Sequence, residues 1–155
     1  MTIEPPVIHE IVNEIWEAML GLDVAPASAV APSAGREIYA AVQVTGGWEG
    51  AVIIECTEDA AQQFAVAMLG LDGEDPAEGD VHDVMGELAN MVGGNLKGAV
   101  GREAELSLPT VVVGAELDLA VPGATVASRE SFVAGGASFT LVVMAKASGP
   151  MAAAG

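Results

Sequence analysis

Residues 80–100 read DVHDVMGELANMVGGNLKGAV. An α-helix advances about 100° per residue, so Val81, Met85, Leu88, Val92, Leu96 and Ala99 fall within an arc of about 80°. Such a stripe faces a core. Asp83, Glu87, Asn90, Gly94 and Lys97 fall on the opposite side, again within about 80°. The pattern predicts a long helix from about Asp80 to Val100, with an exposed line of acid, acid, amide, glycine and lysine. The ordinary reading of such a line is a solvated face. Two details go beyond it. Asn is a modest helix former and gains nothing mid-helix in water. Gly93 and Gly94 each cost roughly 1 kcal/mol relative to Ala in a helix interior. Bare backbone there suits a close approach by a packed strand or by a partner.

Working outward, SLPTVVVG (107–114), GATVASRESFVA (123–134) and ASFTLVVMAKA (137–147) are strand candidates. Upstream, LDGEDPAEG (71–79) is an acidic turn. Thr57 can cap a helix through Met68, with Gly70 at its end. REIYAAVQV (36–44) and WEGAVIIEC (48–56) read as strands around Thr45-Gly46-Gly47, where Gly suits a tight hairpin. VAPASAVAPSAG (24–35) is Ala/Pro/Ser-rich and reads as a loop. In VIHEIVNEIWEAML (7–20) the apolar residues keep a helical period; Pro5 and Pro6 suit its entry and Gly21 its end. No repeat is evident at 20–50-residue spacing. Helices before and between hairpins predict an α+β domain, an antiparallel sheet with long helices packed on one face. One domain spans 1–147, and 148–155 (SGPMAAAG) reads as a disordered tail.

The 155-residue chain is 52% hydrophobic, enough for a core without disulfide or metal. Its single cysteine, Cys56, sits in the apolar run AVIIEC and reads as a small core residue. Five basic residues face twenty-two acidic ones, for a net charge of −17. Such a surface repels nucleic acid and anionic membranes. Every apolar run is broken before about 18 residues, and the N-terminus carries no signal-peptide pattern, so a soluble cytoplasmic protein is expected. Asp80, His82 and Asp83 lie close in sequence, but His82 is roughly 100° round the helix from Asp83, and the only other histidine is His9. No metal site or bound cofactor is expected. Ser, His and Asp occur in no nucleophile motif.

Asp83-x-x-x-Glu87-x-x-Asn90, continued through Gly93-Gly94-Asn95-Leu96-Lys97, resembles the signature helix of the CheC, CheX and FliY phosphatases. SLPTVVVGAEL (107–117) resembles the strand that follows it, with Pro109 as the signature proline. The resemblance spans Val7 to Ala147. Glu10-Ile-Val-Asn13 shares the Glu-x-x-Asn spacing but lacks the acid four residues before and the Gly-Asn after, so a CheX-like single site is expected rather than the two of CheC.

The resemblance implies an enzyme that removes the phosphoryl group from the aspartate of a CheY-like response regulator, and a homodimer. Mg²⁺ would be held by the regulator. An acyl phosphate already carries a good leaving group, so what remains is to position a water and shield charge. Asn90 suits that role, since a neutral amide both donates to and accepts from one water. The resemblance implies that Glu87 docks on the regulator's lysine; general-base work is the rival role, of little use in a loose transition state. Asp83 is open to three readings: orienting Glu87, touching the partner, or plain solvation. With Gly94 and Lys97 it belongs to the expected partner-binding face. The alternative function is a non-catalytic module of the same fold, docking on a regulator or a flagellar-switch component.

Overall fold

The computed structural model describes residues 3–28, 35–100, 103–114 and 121–146. Helix α1 (Pro5–Ile15) starts on two prolines whose missing N–H groups cost nothing in a first turn. It runs into a π-helical turn, Trp16–Leu20, that ends on the left-handed Gly21. The strands are β1 (Val24–Pro26), β2 (Glu37–Gly46), β3 (Gly50–Thr57), β4 (Ala104–Leu106), β5 (Thr110–Gly114), β6 (Ala124–Ala134) and β7 (Ala137–Lys146). Helices α2 (Glu58–Leu69) and α3 (Glu78–Val100) lie between β3 and β4. The Thr57 hydroxyl accepts from the N–H of Ala60 and caps α2, and Gly70 closes it at φ 64°.

The sheet runs β1-β6-β7-β3-β2, every pair antiparallel; β4 and β5 share the far edge of β2 end to end. Three sequence expectations are corrected. Val24–Pro26, expected in a loop, is a short edge strand on β6, a position that tolerates proline. The run 107–114 is not one strand: Ser107, Leu108 and Pro109 separate β4 from β5. The first helix turns π-helical before Leu20. The expected tail 148–155 lies outside the described residues.

Strict alternation divides the sheet. Ile38, Ala40, Val42, Val44, Val52, Ile54, Cys56, Phe139, Leu141 and Val143 face the helices and join the main core. Trp16 stacks on Phe139 at 4.5 Å between ring centroids, with Phe64 edge-on to both and Phe132 beside Phe139. These rings tie the π-turn, α2, β6 and β7 together. Burial pushes the Cys56 thiol from 9.0 up to about 12, with the charge of Glu37 adding to the shift, which leaves it an inert core group. A smaller cluster of Tyr39, Ala51, Ile53, Val142 and Met144 occupies the other face.

Candidate functional site

Helix α3 spans the helical layer and touches β2, β3, β4 and β5 below, with α1 and α2 at its sides. Contact on three sides widens its buried arc. Val84, Gly86, Ala89, Gly93 and Val100 join Val81, Met85, Leu88, Val92 and Leu96. Ala99, expected in the stripe, is exposed near the helix end, a correction to the simple period.

The glycines explain how close the approach is. A Cβ on Gly93 would sit 2.7 Å from Val42 Cγ2 and 3.4 Å from Leu106 Cδ2. A Cβ on Gly86 would meet Pro109 Cγ at 3.4 Å. Gly86 and Gly93, seven residues apart, thus share the face that lies on β2 and the 106–111 segment. Gly94 differs: a Cβ there meets only Leu106 Cδ1, at 4.0 Å, and the residue is exposed. Of the two close approaches considered from sequence, Gly93 takes the strand and Gly94 is left open to solvent.

The opposite face presents the expected line. Asp83, Glu87, Gly94 and Lys97 are exposed, and Asn90 is half-buried. Glu87 and Asn90 stand three residues apart, about 4.5 Å along the axis and roughly 60° apart around it. Among the described residues, none of Asp83, Glu87, Asn90 and Lys97 has an ion-pair or side-chain hydrogen-bond partner. Asn95 is the contrast: its Nδ2 donates to the Met91 carbonyl at 2.9 Å, so that amide is spent on the helix. The amide of Asn90 and the carboxylate of Glu87 are therefore both available to a visitor, on the most rigid kind of scaffold.

His82 does not join the line. It is half-buried, its Nε2 is buried without a hydrogen-bond partner, and it borders a cavity of about 300 Å³ with Arg36, Glu58 and Glu78. Among the described residues no three His, Cys, Asp or Glu side chains are grouped to hold a metal ion. Arg102 lies outside the described residues.

On α1, Glu10 and Asn13 are also exposed, beside a depression of about 600 Å³ that Pro5, His9 and Glu17 border too. Four residues after Asn13 stands Glu17, where α3 has Gly94 after Asn90. Glu17 thus adds a second carboxylate to Glu10 on that face, where α3 has bare backbone at Gly94.

Sequence reasoning overlooked the 107–109 connection. Ser107 N–H donates to the Gln43 carbonyl, and its Oγ both accepts from the Gln43 N–H and donates to the Leu108 carbonyl, each at 2.9–3.0 Å. Pro109 then packs at Gly86, the residue before Glu87. Only the serine before Leu-Pro hints at this in the sequence.

Fold and site together define an α+β domain whose central helix offers an unpaired carboxylate and amide to another molecule. The family model of the chemotaxis phosphatase CheX matches residues 38–133, more than half of the chain, and the protein belongs to that family. The chain is similar to the chemotaxis protein CheX from Vibrio vulnificus, 20% identical with a TM-score of 0.73, over 90% of this chain and 93% of that one. It is similar to CheX from Desulfovibrio desulfuricans at 22% identity and a TM-score of 0.73, over 89% and 95%. It is also similar to a structure from Borrelia burgdorferi containing CheX, CheY, BeF3 and Mg²⁺, at 14% identity and a TM-score of 0.65, over 91% and 96%. At these identities the likeness is one of fold. A comparison with curated proteins returned no match.

Proposed function

We propose that this protein hydrolyses the aspartyl phosphate of a CheY-like response regulator, with Asn90 positioning the attacking water and Glu87 docking on the regulator's lysine. The observation that carries the reading is the pair itself. In a chain of the CheX family, Glu87 and Asn90 stand side by side on an exposed helix face with no partner of their own. The Borrelia burgdorferi structure contains CheX, CheY, BeF3 and Mg²⁺, which supports a receiver domain as the partner.

The mechanism follows from what the two side chains can do. The Glu87 carboxylate meets an ammonium in an interface that sheds water, which fixes the relative orientation of the proteins. Asn90 is then held one turn away, over the phosphoryl group. Its carbonyl oxygen accepts from a water and its amide donates to it, leaving a lone pair in line with the departing aspartate carboxylate. A carboxylate in that position would repel the phosphoryl oxygens. Mg²⁺ on the regulator neutralises those oxygens and is no part of this chain's own chemistry. Asp83, Gly94 and Lys97 complete the docking face, in a cytoplasmic homodimer. A purely docking role for the fold has no need of Asn90, whose free amide favours the enzyme.

The test is phosphate release from a phosphorylated receiver domain in Mg²⁺, with and without this protein. Acceleration above the receiver's own rate is expected; no acceleration with any receiver of the same organism overturns the reading.

A further inference from the structure

We infer, resting on the receiver-docking reading above, that Leu108 is an apolar anchor of the docking face, seated in an apolar depression of the receiver beside its phosphorylated aspartate. Leu108 is 88% exposed, and the next most exposed large hydrophobic among the described residues, Val126, is 51% exposed. Isolated surface leucines are ordinary, so exposure alone says little. Two further observations set this one apart.

The first is rigidity. A freely moving leucine on a floppy loop would lose its freedom on binding, and that loss offsets much of what burial contributes. Here the backbone on both sides is fixed. Ser107 exchanges two hydrogen bonds with Gln43 of β2 and donates a third to the carbonyl of Leu108 itself. Pro109 has its φ locked by its ring and leans on α3 at Gly86. The strands before and after are both paired to β2. The side chain is thus held out in water from a braced three-residue connection.

The second is place. Pro109 touches α3 one residue before Glu87, and Leu106, at the other end of the connection, touches Gly93 and flanks Gly94. The connection therefore borders α3 on the side of Gly86 and Gly93, and it reaches the polar line at Gly94, where Leu106 Cδ1 lies 4.0 Å from the position of a Cβ. Leu108 stands two residues along the chain from that point. Protein–protein interfaces combine such an apolar anchor with a polar set that fixes register. The division of labour is plain: Glu87 orients, Asn90 acts, and Leu108 supplies the burial that two polar groups in water cannot.

The test is titration calorimetry of the full chain with a receiver domain loaded with BeF3 and Mg²⁺, beside phosphate release against receiver concentration. Leu108→Ser is expected to weaken binding by roughly ten- to hundredfold, the factor that burying a leucine is worth. The loss should appear in the half-saturating concentration rather than in the saturated rate. Leu108→Met should recover most of the binding, and Leu69→Ser, a partly exposed leucine at the end of α2, should leave it unchanged. The melting temperature of Leu108→Ser should match the wild type, because no core contact is lost. Binding within twofold of wild type for Leu108→Ser overturns the anchor even if phosphate release proceeds. A wild type that binds without hydrolysing, and loses binding in Leu108→Ser, supports the anchor while overturning catalysis. A wild type that neither binds nor hydrolyses overturns both.

Discussion

Asn90 and Asn95 show how much one hydrogen bond decides at the scale of a residue. They lie five positions apart on the same helix, yet Asn95 spends its amide on the Met91 carbonyl and Asn90 keeps its own free. Truncating Asn90 should leave the fold intact, since the half-buried side chain holds nothing in place. Asn90→Ala should lower the saturated rate of phosphate release by about 10²–10³, the usual effect of losing one positioned polar group at a transition state. A circular-dichroism melt unchanged from wild type, beside near-normal turnover, would remove Asn90 from the mechanism. Glu87→Ala should behave differently. An interfacial charge pair that loses one member costs about 2–5 kcal/mol, so the defect should be large at low receiver concentration and shrink on saturation. A steady-state titration separates the two roles: a fall in saturated rate at unchanged affinity would make Glu87 a base instead.

At the scale of the element, the two neighbouring glycines of α3 should come apart on substitution. Gly93→Ala drives a methyl to 2.7 Å from Val42, a β-branched side chain locked in the core, and should cost about 1–3 kcal/mol. Gly94→Ala meets nothing closer than 4.0 Å and should stabilise the helix by up to about 1 kcal/mol. It should also place a methyl under the partner, weakening phosphate release at low receiver concentration. Melting curves and activity of the two variants check this; a Gly94→Ala protein with unchanged activity would mean the partner does not approach there. The helix face was legible in sequence because amphipathic period is a local signal: Asp83, Glu87, Asn90, Gly94 and Lys97 emerge on one side as the spacing requires. What the sequence concealed depends on distant contacts. Ala99 is small and apolar, but the buried face of the last turn is held by Leu96 and Val100, which leaves Ala99 outside it. Residues 24–26 carry no strand signal and pair only because β6 offers an open edge. The break at Ser107–Pro109 is made by Gln43, sixty-four residues away.

At the scale of the whole molecule, the sheet repeats one pattern twice: α1, β1 and the β2–β3 hairpin, then α3, β5 and the β6–β7 hairpin. The first strand of each half pairs with the hairpin of the other, and β3 meets β7 at the centre. The two helices begin at Pro5 and Glu78, 78 − 5 = 73 residues apart, beyond the spacing at which a short repeat shows in sequence. The repeat puts Glu10 and Asn13 on the helix equivalent to that of Glu87 and Asn90, but four residues after Asn13 comes the carboxylate of Glu17, where Gly94 follows Asn90. Asn13→Ala should therefore keep the wild-type rate of phosphate release; a loss comparable to that of Asn90→Ala would reveal a second working face. The charge of the whole chain shapes the encounter. At −17 it repels a receiver domain of net negative charge, and Lys97 on the docking line softens this only locally. Association should quicken as salt is raised from low ionic strength, because screening shortens the reach of that repulsion to about 10 Å at 0.1 M. Mg²⁺ should act separately from this general screening. Asp83 and Glu87 are two carboxylates one turn apart with no grouped third ligand among the described residues, and Mg²⁺ sheds its waters reluctantly. The isolated chain should show no tight Mg²⁺ binding by calorimetry, while phosphate release should fail after chelation even when ionic strength is restored with a monovalent salt. Micromolar binding of Mg²⁺ to this chain alone, or full activity in chelator, would place the cation on this protein or outside the reaction altogether.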